Sequence, residues 1–206
     1  MAVEIQQIYL EHPQPRLIRK TIDVIRNGGV IVYPTDTIYG LGVDIFSKPA
    51  MQKVLRLKKA SKHKMLSLVC PDLKEIARWA VVSNRAYKIM RRVTPAAYTF
   101  ILKASSEVPK IMLHKRKTVG IRIPDSQVVQ ALLAELGRPI LNTSVPQGED
   151  GYYTDPHEIA TMFNNDIDLI LDAGVMFNKP STIVDLSGDE IEIIREGSGD
   201  IESLFF

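Results

Sequence analysis

Apolar residues recur along this chain with two different periods. Between residues 15 and 26, Leu17, Ile18, Ile22 and Ile25 fall at three- and four-residue intervals, which is one face of a helix. Pro15 suits the first turn, where its missing N–H goes unused. Asn27-Gly28-Gly29 ends the helix, because glycine accepts the left-handed cap conformation. Further helices are predicted from Ser47 and Pro49 to about Lys59 and from Ser83 to about Arg92. Asp72 with Glu75 forms the sequence pattern of a capping box, Asp125 precedes the helix of QVVQALLAEL that stops at Gly137, and Asp155-Pro156 opens a short one.

Between the helices lie short apolar or alternating runs, read as strands. They are residues 4–10, VIVY (30–33), IYGLGVDI (38–45), LSLV (66–69), YTFILK (98–103), TVGIRI (118–123), ILNTS (140–144), DLILDAG (168–174), STIVDL (181–186) and EIEIIRE (190–196). The last two read as a hairpin, and residues 145–154 as a polar, glycine-containing loop. Helices and strands mix without a strict βαβ rhythm. The pattern predicts an α/β fold with a twisted, mixed parallel and antiparallel sheet flanked by helices. With no linker, repeat or low-complexity tract, one domain over residues 1–206 is expected.

Composition adds a few exclusions. The single cysteine, Cys70, permits neither an internal disulfide nor a thiolate metal cage. The histidines at 12, 63, 114 and 157 lack metal-ligand spacing. The N-terminal segment has no basic n-region and carries Glu4, and no apolar run is long enough to span a bilayer. A cytoplasmic protein without membrane contact is expected.

Charge changes the picture more. The formal net charge is only +2, yet residues 45–124 hold 19 Lys and Arg against three acids, a net of +16, and the remainder carries −14. A segment so positive suits polyanions; the plainer explanation for any one of these lysines is a solvated helix face.

The candidate chemistry sits at strand ends. In VYPTDTIYGLG (32–42), Thr35, Asp36 and Thr37 crowd a tight connection, and Gly40 and Gly42 allow close approach of a ligand or of another backbone. A side-chain-capped turn would use the same residues. LKKASKHKMLSLV (57–69) gathers Lys58, Lys59, Lys62, His63 and Lys64 after a helix, where cations also complement the helix dipole. In HKRKTVGIRIP (114–124), alternation puts Thr118, Gly120 and Arg122 on one strand face. Such an arginine binds a carboxylate or phosphate bidentately, or pairs with a structural acid. Asn142, Thr143 and Ser144 end a strand, and Ser181, Thr182 and Arg195 lie near the end of the chain. There is no P-loop, no dinucleotide fingerprint and no nucleophile elbow. Residue by residue, the reading ends at an anion-binding cleft of hydroxyls, lysines and two arginines.

Taken in order, VYPTDTIYGLG, the lysine-rich stretch, TVGIRIP, the Thr143-Ser144 pair, PSTIVDL and REGSGD resemble the YrdC/YciO family over roughly residues 20–200, most strongly its YciO branch. The resemblance implies a YrdC-like domain with a basic concave face. It also implies a nucleotidyltransferase reaction, in which L-threonine, bicarbonate and ATP give threonylcarbamoyl-adenylate and pyrophosphate for the t6A modification of tRNA. Carried over by motif, Thr37, Arg122 and Ser181 would hold threonine. Lys58, Lys64, Thr118, Ser144, Thr154 and Arg195 would hold ATP, with Mg²⁺ on its phosphates. The chain departs from the synthase pattern at Ala60, where the family has an arginine, at Ala96-Ala97, where it has Gly-Pro, and at Val145-Pro146 in place of Ala-Asn. No further C-terminal domain is expected after REGSGD. The same resemblance allows a double-stranded RNA- or tRNA-binding protein without this activity, or another reaction on a nucleotide adduct.

Overall fold

Local signals fix most helix boundaries. The computed structural model describes residues 3–58, 66–113, 116–147, 151–176 and 179–206. Helix α1 (Pro15–Arg26) buries Leu17, Ile18, Ile22 and Ile25, and Gly28 follows it at φ +79°. Ser47 caps α2 (Lys48–Leu57) and Ser83 caps α4 (Asn84–Val93), each through its hydroxyl. Asp72 caps α3 (Leu73–Trp79), but Glu75 turns its carboxylate to the Trp79 indole (3.0 Å), so the box is half formed. The cap of α5 (Gln127–Leu136) is Ser126, not Asp125 as expected; the Asp125 amide is engaged by Asp36 instead. Asp155 caps α6 (Pro156–Met162).

The strands form one mixed sheet. In chain order they are β1 (Glu4–Gln7), β2 (Ile31–Tyr33), β3 (Gly40–Asp44), β4 (Ser67–Val69), β5 (Ala80–Val81), β6 (Tyr98–Ala104), β7 (Thr118–Arg122), β8 (Ile140–Ser144), β11 (Leu169–Asp172), β12 (Thr182–Asp185) and β13 (Glu192–Arg195). Across the sheet the order is β1-β11-β2-β3-β8-β4-β7-β6-β12-β13, with β5 on β6. β1, β11 and β2 run parallel, as do β4 with β7 and β6 with β12; the other pairs, including the β12–β13 hairpin, are antiparallel. The expected polar loop at 145–154 contains a two-stranded ladder, β9 (Pro146–Gln147) with β10 (Gly151–Tyr152).

Pleating sends alternate residues to opposite faces. Leu41, Leu68, Phe100, Val119, Ile121 and Val184 build the larger core, which also takes Met51, Ile76, Trp79, Met90 and Ile159 from α2, α3, α4 and α6. On the opposite face, Ile31, Tyr33, Val69 and Ile140 pack against α1 and α5. Farther across this second face lie Gly120, Arg122, Thr99 and Arg195, and there the candidate site is built.

Candidate anion-binding pocket

Arg122 ends β7 on the face shared with Gly120. Its Nη2 donates to Asp36 Oδ1 (2.7 Å) and Thr37 Oγ1 (3.2 Å), and Asp36 Oδ2 accepts from the Asp125 amide (3.2 Å). Thr35 Oγ1 donates its one proton to the Ile38 carbonyl (2.8 Å). The 3.0 Å contact between the two threonine hydroxyls therefore has Thr37 donating to Thr35, and the lone pairs of Thr37 stay open to Arg122. The Arg122 and Asp36 side chains are 6% and 8% exposed. Arg122 Nε is fully buried and has no hydrogen-bond partner among the described residues. Native buried donors are rarely left so.

The far wall comes from the C-terminal hairpin. Ser181, just before β12, shares a 2.8 Å hydroxyl contact with Thr99 of β6. Its carbonyl accepts from both Nε (3.2 Å) and Nη2 (2.7 Å) of Arg195, whose Nη1 donates to the Tyr152 hydroxyl (2.9 Å). Lys58 follows the last turn of α2 and donates to Thr143 Oγ1 (2.7 Å). Ser67, Asn142 and Ser144 complete the polar lining. A β-carbon on Gly120 would crowd the Leu66 carbonyl (3.2 Å) and Ser67 Cβ (3.3 Å), so glycine keeps this part of the sheet close-packed. Gly40 and Gly42 serve the chain itself: the Tyr33 ring lies across them and its hydroxyl donates to Asn142 Oδ1 (2.8 Å).

Among the described residues three cations, Lys58, Arg122 and Arg195, line this pocket, and no carboxylate does. Burial, followed by repulsion from Arg195, pushes the Lys58 ammonium down to about 8. Burial also lowers Arg195, with Arg122 adding to the effect and Tyr152 opposing it. Asp36 balances Arg122, but Lys58 and Arg195 have no acidic partner among the described residues, and desolvated positive charge of this kind is relieved by a bound anion. A metal fits less well. Among the described residues no three His, Cys, Asp or Glu side chains are grouped to hold an ion, and both Asp36 oxygens are engaged.

The residues expected to form a site divide into four groups. Lys58, Arg122, Ser144, Ser181 and Arg195 line the one pocket. Thr37 is fully buried behind Arg122 and positions it. Thr118 lies four residues up β7, about 13 Å along the strand, and is not a lining residue. Thr154 lies outside the lining too, and its carbonyl accepts from the Met176 amide. Lys64 and the departure at Ala60 fall outside the described residues. Sequence reading missed Tyr152, Thr99 and Ser67. Thr99 alternates with Ile101 and Lys103, and only the pairing of β6 with β7 reveals that it faces Arg122.

Of the charge-rich block, Lys58 and Arg122 reach the pocket, and the cations of α3 and α4 do not. Arg78 of α3 and Arg85, Lys88, Arg91 and Arg92 of α4 are exposed, and these helices pack on the other face of the sheet. Among the described residues no helix is long and apolar enough to cross a membrane.

A mixed sheet that presents strand-end hydroxyls, one lysine and two arginines to a single pocket defines the class. Residues 23–197 match the Sua5/YciO/YrdC family model, described as telomere recombination, and the chain belongs to this family. It is 42% identical to the uncharacterised protein YciO of Escherichia coli K12 over 197 residues, covering 95% of this chain and 96% of YciO. The crystal structure of E. coli YciO superposes with a TM-score of 0.93, at 40% identity and with 98% and 99% of the two chains covered. A Methanocaldococcus jannaschii protein provisionally named a threonylcarbamoyl-AMP synthase is 33% identical over 181 residues, 87% of this chain and 85% of that one. P. abyssi Sua5, crystallised with L-threonine, shares the fold at a TM-score of 0.82 and 24% identity; the match covers 96% of this chain and 58% of Sua5.

Proposed function

We propose that this protein makes threonylcarbamoyl-adenylate from L-threonine, bicarbonate and ATP, with release of pyrophosphate. The observation that carries the reading is the convergence of Lys58, Arg122 and Arg195 on one pocket with no carboxylate among its described residues, where Arg122 Nε has no acceptor. The naming of the M. jannaschii relative and the threonine bound by P. abyssi Sua5 point the same way. Arg122, held by Asp36 and Thr37, takes the threonine carboxylate, and the Ser181 hydroxyl faces the same ligand. Lys58, Ser144 and Arg195 take phosphate oxygens. A nucleotide extended along β7 reaches toward Thr118.

In this reaction the carbamate formed on the threonine amine attacks the α-phosphorus, and pyrophosphate leaves. The protein's part is to hold both anions together and to neutralise the charge that develops on the phosphate oxygens. The test is incubation with ATP, L-threonine and bicarbonate, followed by mass spectrometry for the adenylate and assay of pyrophosphate. Neither product would form if the reading is wrong.

A second reading rests on the exposed cations of α3 and α4, which suit the backbone of tRNA or double-stranded RNA. They lie across the sheet from the pocket, so binding there is separable from the chemistry.

A further inference from the structure

Lys58 combines features that ATP binding alone does not require. The residue is 3% exposed, and its one hydrogen-bond partner among the described residues is the neutral hydroxyl of Thr143. Among the described residues no carboxylate lines the pocket to hold it charged, and the other cationic groups lining it are Arg122 and Arg195, with the Tyr152 phenol beside Arg195. An amine kept dry, unpaired with an acid and crowded by guanidinium groups spends part of its time neutral near physiological pH. A neutral amine is a nucleophile. The same guanidinium groups, one with its Nε unsatisfied, are suited to receive a new anion.

We propose that Lys58 reversibly captures carbon dioxide as a lysine carbamate. The Nζ lone pair adds to the carbon of CO2, one C=O π pair moves onto oxygen, and the nitrogen releases a proton to water. Starting from the ammonium form, two protons leave in all. The side chain changes from a cation to an anion that Arg122 and Arg195 can pair. The idea shares its pocket with the adenylate reading, and it supplies that site with CO2 stored beside the threonine amine. Capture needs neither ATP nor threonine, so either proposal can fail without the other. A phosphate in the pocket would re-protonate Lys58, so pyrophosphate should suppress capture.

The experiment is carbon NMR of the protein in ¹³C-bicarbonate without nucleotide at mildly alkaline pH. It is paired with trialkyloxonium trapping, which converts the carbamate into a stable ester that peptide mapping can locate. The expected result is one carbamate resonance beyond those of free bicarbonate and CO2. It should be lost in Lys58→Arg and Lys58→Met, reduced by pyrophosphate, and map to Lys58 in the trapped wild-type protein. Mapping on the wild-type chain keeps the test valid even if a variant folds poorly. Absence of the resonance and of the trapped ester, or a label that maps to another amine, overturns the proposal.

Discussion

Arg122 and Asp36 meet at 2.7 Å, buried together, and the arginine keeps its Nε turned away from any partner. Asp36 compensates the charge and fixes the plane of the guanidinium, and in the proposed function the remaining edge takes the ligand.

Removing that compensation should be costly. Asp36→Ala leaves a buried guanidinium unpaired, and a loss of about 3–5 kcal/mol is expected. Urea unfolding measures it. Asp36→Asn keeps an acceptor oxygen for Arg122, so it should lose less stability while weakening threonine binding, read by calorimetry. Equal losses in both variants would mean that Asp36 orients nothing.

Lys58 makes stability depend on pH in a defined direction. Its pKa falls from 10.5 to about 8 on folding. Below pH 8 both folded and unfolded chains carry the proton, and the penalty of burying the charge is fully present. Between about 8 and 10.5 the unfolded chain holds more protons, so this contribution grows more favourable as pH rises. Lys58→Met should then raise stability at pH 7 by up to about 3 kcal/mol, with the gain shrinking across that window. Denaturant curves at pH 7 and 9.5 check the sign. Phosphate ligands favour the charged amine, so pyrophosphate affinity should fall as pH rises above 8 in the wild-type protein and stay flatter in the variant.

Gly42→Ala tests the packing beneath the pocket. The new methyl would sit 2.7 Å from Tyr33 Cε1 and 3.1 Å from Ile140 Cγ2. Overpacking of this kind costs about 1–3 kcal/mol. It should also displace the Tyr33 hydroxyl from Asn142. Tyr33→Phe removes the same hydrogen bond without the clash and is expected to cost about 1 kcal/mol. Thermal unfolding should rank the two in that order.

Charge reversal on α4 separates the two readings of function. Lys88→Glu with Arg92→Glu should leave adenylate formation unchanged, because these side chains lie across the sheet from the pocket. If α4 binds RNA, the double variant should lower tRNA affinity at least tenfold in filter binding and flatten its dependence on salt. Unchanged RNA binding at low salt would identify the α4 cations as a solvated face.

The sequence alone determined much of what depends on neighbours a few residues away. Pro15 and Gly28 bound α1, Ser47 and Ser83 cap their helices, and alternation in TVGIRI puts Arg122 opposite the core side chains Val119 and Ile121. These are local consequences of backbone geometry and of a hydrophobic period of 3.6 or 2. Tertiary structure decided which strand ends meet. Lys58 and Ser181 are 123 residues apart, and they share a pocket because β8 inserts between β3 and β4 while β12 adds to β6. The α5 cap expected at Asp125 is the Ser126 hydroxyl one residue on, and Asp36 binds the Asp125 amide from 89 residues away. The basic block likewise showed its sign in composition but not its side. Ile76, Met90 and their neighbours bury α3 and α4 against the face opposite Arg122, and the cations follow their helices there. Pairing and register of this kind rest on long-range burial, which no window along the chain contains.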